Sequence, residues 1–188
     1  FVNTPDDEGA SSLNLKGNTL YFTRCRVVKK VNMGCKIYFA TKRGVGWGES
    51  TLINITGVSD SINVGHPSIS DDEMSLYFSA KMSGGYGDRD IWMIKREKKS
   101  GPWNPDPINL GPEINTPGME IFPYVRNNGK LYFSSDYHIG MGGLDIFEAI
   151  KVAKTGKYKI SNLKAPINSA ADDFGIIFEG EAERGFFT

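Results

Sequence analysis

"SLYFSAKMSGGYGDRDIWMIKR", residues 75–96, and "KLYFSSDYHIGMGGLDIFEAIK", residues 130–151, are two copies of one pattern. Each holds a Leu-Tyr-Phe triplet, a glycine-rich bend and an Asp-Ile-aromatic triplet. Read alone, the bend resembles a loop for a phosphate or a metal ion. Read as one of a pair, it belongs to an architecture. Internal repeats therefore come first in the reading.

The triplet Leu76-Tyr77-Phe78 also occurs as Leu20-Tyr21-Phe22 and Leu131-Tyr132-Phe133, and more weakly as Gly185-Phe186-Phe187. The steps between copies are 56, 55 and 54 residues. Ile62-Asn63 returns as Ile114-Asn115 and Ile167-Asn168, and Val2-Asn3-Thr4-Pro5 looks like the same marker closing an earlier unit. An aromatic at Trp47, Trp103 and Tyr158 precedes Ile53-Asn54-Ile55, Ile108-Asn109-Leu110 and Asn162-Leu163. The markers keep one order in every unit.

Each unit reads as four strands. A short first strand ("HPSIS", 66–70; "IFPYV", 121–125) leads through an Asn/Asp/Gly turn into the Leu-Tyr-Phe strand. Along that strand Leu76 and Phe78 face one way and Tyr77 and Ser79 the other. The glycine bend, a third strand and a weaker fourth strand near "INL" complete the unit. No amphipathic helix of ordinary length is read. Four antiparallel strands in about 50 residues mark a β-propeller blade, which needs a neighbour on each face. The expected fold is all-β: a propeller segment of about three full blades plus part of a fourth, belonging to a larger ring. The units run at 7–63, 64–117, 118–169 and 170–188. A single β-sandwich is the rival, and the long period disfavours it.

Bulk composition narrows function. The chain has 188 residues, 39% of them hydrophobic and 12% aromatic, which suits many short strands. Its 22 basic and 22 acidic side chains balance, so no net field draws nucleic acid or an anionic membrane. No apolar run reaches the ~20 residues of a membrane helix. "FVNTPDDEG", residues 1–9, reads as the interior of a longer protein, with any export signal outside it.

The glycine bend has the form G-x-G-x-x-D-I-aromatic, with Gly85, Gly87 and Asp90 in one copy and Gly140, Gly142 and Asp145 in the next. A strand follows it rather than a helix, so the helix dipole of an anion site is missing. Asp88 and Asp90 supply fewer oxygens than the ~6–8 of a calcium site, and Gly143 stands where Asp88 does. The expected role is structural, with glycines at positive φ and the Asp accepting turn N–H groups. In the first unit the run is "NMGCKIYF", residues 32–39, with Lys36 in place of the Asp.

Cys25 is placed at the end of one strand and Cys35 at the start of its partner, within the ~4.4–6.8 Å Cα separation of a disulfide. Two cysteines are too few for structural zinc. A disulfide is favoured over two reduced thiols, because both fall at one loop. His66 and His138 occupy different positions and form no metal-ligand spacing. Ser79, Ser134 and Ser135 repeat as strand residues, and no G-x-S-x-G elbow or paired-carboxylate signature is present. No catalytic, cofactor or metal residue is assigned. Lys29 and Lys30 read as solvated hairpin-tip charges. Tyr86, Asp88, Arg89 and Tyr137 are candidate partner-contact residues on the turns.

"LYFSAKMSGGYGDRDIWMIKR" and "WNPDPINLGPEINTPGMEIFPYVRNNGKLYFSSDYHIGMGGLDIFEA" resemble the WD40-like repeats called PD40, related to those of TolB. More narrowly the chain is similar to propellers of Bacteroidetes OmpA-family outer-membrane proteins, the PorE-type component of type IX secretion above all. "FTRC", "GCKIYFA" and "SINVGHPSIS" fit that group, although Lys36 and the short fourth unit depart from it. The resemblance implies a non-catalytic interaction scaffold in the periplasm, associated with the outer membrane, whose partners are other secretion or envelope proteins. Peptidoglycan binding would belong to a domain outside this chain. An oxidising periplasm suits a Cys25–Cys35 bridge. Carbohydrate or peptidoglycan-fragment binding at exposed aromatics, or glycan processing at a central channel, is the competing reading.

Overall fold

The computed structural model describes residues 2–29, 31–180 and 182–188, so Lys30 lies outside the described residues. Every regular element is a strand. The first sheet comprises β1 (Asp7–Leu13), β2 (Thr19–Val28), β3 (Val31–Arg43), β4 (Gly46–Trp47) and β5 (Thr51–Leu52). The second comprises β6 (Val64–Ile69), β7 (Ser75–Ala80), β8 (Asp90–Lys95) and β9 (Ile108–Asn109). The third comprises β10 (Glu120–Val125), β11 (Lys130–Ser135), β12 (Asp145–Lys151) and β13 (Tyr158–Asn162). The pair β14 (Ile177–Phe178) and β15 (Gly185–Phe186) begins a fourth. The second and third sheets are ordered as a meander, each strand antiparallel to the next. The chain is a β-propeller segment of three blades and part of a fourth.

The first blade departs from the simple four-strand reading. β3 runs 13 residues and pairs with both β4 and β5. Gly44, at φ 60°, folds its far end onto Gly46 and Trp47. The β2–β3 hairpin also extends beyond the cysteines, closing at Val28 and Val31. Cys25 and Cys35 are therefore register partners inside a hairpin, not strand ends. Their Cα atoms are 3.9 Å apart, closer than the separation expected from the sequence.

Alternation along the Leu-Tyr-Phe strands builds the core. Leu76 and Phe78 join Tyr21, Ile37 and Trp92 between the first two blades. Tyr77, on the opposite side of β7, packs with Ile91, Leu131, Phe133 and Phe147 between the second and third. Tyr132 and Ile146 meet Ile176 and Phe178 at the start of the fourth. The second and third blades thus bury both faces, and each fully buried large apolar side chain contributes about 1.5–3 kcal/mol. Side chains also stitch successive first strands together. Ser12 Oγ accepts the Ile69 N–H at 3.2 Å, and one blade later Ser68 Oγ accepts the Val125 N–H at 3.1 Å.

Candidate binding groove

The glycine bends are held from inside by their aspartates. Asp90 accepts the N–H groups of Tyr86 at 2.7 Å and Gly87 at 3.0 Å. Asp145 accepts those of Met141 at 2.8 Å and Gly142 at 3.0 Å. The expectation of positive φ at Gly85, Gly87, Gly140 and Gly142 is corrected: in the first bend the left-handed residue is Gly84, at φ 85°. The four glycines are required for a different reason. A Cβ on Gly87 would meet the Thr116 carbonyl oxygen at 2.1 Å, and one on Gly142 the Ala171 oxygen at 2.1 Å. On Gly85 and Gly140 it would collide with the Asp carboxylates at 2.7 and 2.1 Å. The bends lie flat against the neighbouring blade connections. In the first blade the polarity inverts. Lys36 Nζ donates to the carbonyls of Ser59, Asp60 and Ile62, and burial lowers its pKa although Asp60 opposes the shift.

The Ile-Asn marker closes each third strand. Asn115 Oδ1 accepts the Ile91 N–H at 2.8 Å, and its Nδ2 donates to the Ile91 carbonyl at 3.0 Å. Asn168 repeats both bonds on Ile146, at 2.8 and 2.9 Å. Asn63 makes one counterpart, accepting from Cys35 N at 2.9 Å.

The candidate partner residues are scattered over the bends. Tyr86 is 50% exposed and Tyr137 60% exposed. Asp88 is paired with Lys81 at 2.6 Å, and that hydrogen bond holds its pKa down. Arg89 differs from them. It is half-buried, and among the described residues no hydrogen bond or ion pair holds its guanidinium. His138 is also half-buried, with Nε2 2.8 Å from the Ile114 carbonyl. The disulfide Cys25–Cys35 is formed and leaves no free cysteine.

A feature not read from the sequence defines a groove. Ala10, His66 and Phe122 occupy the irregularity in the pairing of β1, β6 and β10, at φ 23°, 53° and 51°. Positive φ is costly for ring-bearing residues and persists only where the surroundings enforce it. The signal was present as two aligned pairs, His66-Pro67 and Phe122-Pro123. His66 stacks on Phe122 with centroids 3.9 Å apart and planes 12° from parallel, and Phe122 stacks on Phe174 at 5.1 Å and 21°. These first strands line a groove of about 590 Å³ that no Asp, Glu, Lys or Arg side chain borders among the described residues. A cleft of about 320 Å³ shares Ala10 and His66 with it and is bordered by Gly9, Gly65, Arg89 and the disulfide. Burial, with Arg89 adding its charge, lowers the His66 pKa to about 4, so the ring is neutral near pH 7.

The carboxylates at the starts of these strands are turned to structure. Glu120 is fully buried and bonded by Thr116, through N–H and hydroxyl, and by Ser135. Burial raises its pKa against those hydrogen bonds. Glu8 receives Thr4 and Arg24. Burial alone would raise its pKa, and the Thr4 and Arg24 bonds outweigh that and lower it. Asp173 receives Ser169 through N–H and hydroxyl. Among the described residues no group of three or more His, Cys, Asp or Glu is placed to hold a metal ion.

No protein-family model matches the sequence, and no curated relative matches it. Solved structures share the fold. The chain aligns over its whole length with Bacteroides ovatus xyloglucan PUL GH43B, at TM-score 0.54 and 16% identity, covering 37% of that chain. It aligns over 88% of its length with a puromycin-hydrolyzing peptidase of Mycobacterium tuberculosis, at TM-score 0.54 and 14% identity, covering 24% of that chain. The tricorn protease aligns with 85% of this chain and 18% of its own, at TM-score 0.50 and 10% identity. The chain spans well under two thirds of each. At these identities the likeness establishes the β-propeller architecture, and that is the class to which the chain is assigned.

Proposed function

We propose that this propeller segment is a non-catalytic interaction module of a periplasmic, outer-membrane-associated protein, of the PD40-bearing OmpA type found in type IX secretion. The repeat motifs support the narrower family. The observation that carries the interaction reading is the groove along the first strands, lined by His66, Pro67, Phe122, Pro123 and Phe174 and bordered, among the described residues, by no Asp, Glu, Lys or Arg side chain. Apolar concave surfaces with rigid walls bind; acid–base chemistry needs titratable groups aimed at the ligand. The partners are other envelope or secretion proteins, and the unit boundaries at residues 63, 117 and 169 mark where blades meet.

The glycan-processing alternative would draw on Glu120, whose pKa is raised. Both its oxygens are engaged by Thr116 and Ser135, and it does not border the groove. The test is site-specific photo-crosslinking from Tyr86 and Phe122 in the native envelope, run beside turnover assays on chromogenic glycosides and peptide anilides. A discrete envelope protein captured from one of these sites, with no turnover, is expected. Hydrolysis abolished by Glu120→Gln would replace the scaffold with an enzyme.

A further inference from the structure

The ring stack of His66, Phe122 and Phe174 has no ring at the equivalent place in the first blade, beside a cleft of about 320 Å³. The residue at the first-strand irregularity carries a ring in the second and third blades, His66 and Phe122, with Phe174 continuing the stack in the fourth. Phe122 is covered on both faces, by His66 on one side and Phe174 on the other. The first blade has Ala10 at that place. The His66 face turned away from Phe122 has no ring against it among the described residues. Ala10 and His66 border both the groove and the neighbouring cleft, where Gly9 and Gly65 are their neighbours in sequence. The same cleft contains Arg89, half-buried, whose guanidinium has no hydrogen-bond or ion-pair partner among the described residues. Glu8, also on the cleft, is committed to Arg24 and Thr4. Asp7 is exposed at its edge.

We propose that the place above Ala10 is a binding site for an aromatic side chain of a partner protein, stacked on the open face of His66, with an adjacent carboxylate of the same segment paired to Arg89. The inference rests on the interaction-module reading and gives its partner a chemistry: an exposed segment with an aromatic residue next to Asp or Glu. Offset stacking on a neutral imidazole and a charge-assisted bond to guanidinium are independent attractions, so each contributes its own selectivity. An aromatic ring, rather than an aliphatic chain, completes a stack whose planes are already within 21° of parallel.

The test is calorimetric titration of the 188-residue chain with the acetylated, amidated hexapeptide Gly-Ser-Phe-Asp-Ser-Gly and two controls, one with Leu for Phe and one with Asn for Asp. Each control is expected to bind about tenfold more weakly. Ala10→Phe supplies the missing ring from the protein itself, at a position whose counterparts already hold rings, and is expected to abolish binding. Arg89→Gln is expected to bind the Asp and Asn peptides alike, which separates loss of the charge pair from loss of folding. Equal binding by Ala10→Phe and wild type overturns the proposal, as does no binding of the parent peptide at millimolar concentration. Glucuronate binding at the site in the peptide's place overturns the ligand class. If the peptides fail while envelope crosslinks persist in Ala10→Phe, this site falls and the interaction module stands. Glycoside hydrolysis removes the module reading whatever the peptides do.

Discussion

Asn115 is bonded twice to Ile91, accepting its N–H and donating to its carbonyl, as though a peptide unit of another strand lay there. The blade connection is thereby fastened to the third strand beside its backbone bond from Leu110 N to the Ile91 carbonyl. Asn168 does the same for Ile146. Asn115→Ala leaves the buried Ile91 N–H without its partner, at a cost of about 1–3 kcal/mol, while the Ile91 carbonyl keeps the Leu110 N–H at 3.2 Å. The expected loss is roughly 1–3 kcal/mol in urea denaturation, and the same for Asn168→Ala, since the Ile146 carbonyl keeps the Leu163 N–H. Asn63→Ala, whose side chain accepts the Cys35 N–H, leaves one buried donor without its partner and loses the same or slightly less. Equal, small losses at all three positions would show that the clamp does not support the blades.

The glycines of the bends separate two causes that sequence alone merges. Gly87→Ala drives a Cβ into the backbone of Thr116 and Gly118, which no side-chain rotation relieves. A loss of about 1–3 kcal/mol is expected from this overpacking. Gly84→Ala meets nothing within 4 Å and is opposed only by its φ of 85°. It costs about 1 kcal/mol. Thermal unfolding of the two variants gives the order, and Gly84→Ala as the more damaging change would reverse the explanation.

Much of this was legible in the repeat. The Leu-Tyr-Phe copies gave the strands, their faces and the number of blades, because a strand buried on both sides reads as a continuous apolar run whose successive residues point to opposite faces. The glycines were legible as necessary but not for the right reason. A collision with a carbonyl one blade away, as at Gly142 and Ala171, depends on tertiary packing that no local pattern records. The groove was less legible still. In the sequence His66 stands without a metal-ligand partner, and its meaning lies in Phe122, 56 residues on, and Phe174 beyond it. Ala10 carried no signal at all, since its significance is the ring it lacks.

His66 makes the fold acid-sensitive. Its pKa is held at about 4, against 6.5 for an unburied histidine, by burial first and by Arg89 second. The unfolded chain therefore binds a proton that the folded chain refuses between those values. Stability contributed by neutral His66 is full above pH 6.5 and is lost as pH falls from 6.5 toward 4. The limit is about 3 kcal/mol. Measured as the difference between wild type and His66→Gln, the slope of unfolding free energy against pH should be positive in that window. A pH-independent difference would mean that the ring is solvated and titrates normally.

The Cys25–Cys35 bond closes a loop with a sequence separation of 10 residues, within a hairpin that already pairs on both sides of it. Constraint of the unfolded chain by a loop of this size contributes about 2–3 kcal/mol. The cystine borders the cleft beside Ala10 and His66, so its loss also frees one wall of that cleft. The paired variant Cys25→Ser/Cys35→Ser is expected to unfold at lower urea by about that amount, while Asn115→Ala, which keeps the disulfide, loses the same increment on reduction as the wild type. Intact mass spectrometry with and without reductant checks the bond itself: alkylation of two thiols only after reduction is expected. Two thiols alkylated in the folded, unreduced protein would remove both the constraint and the cleft wall built on it.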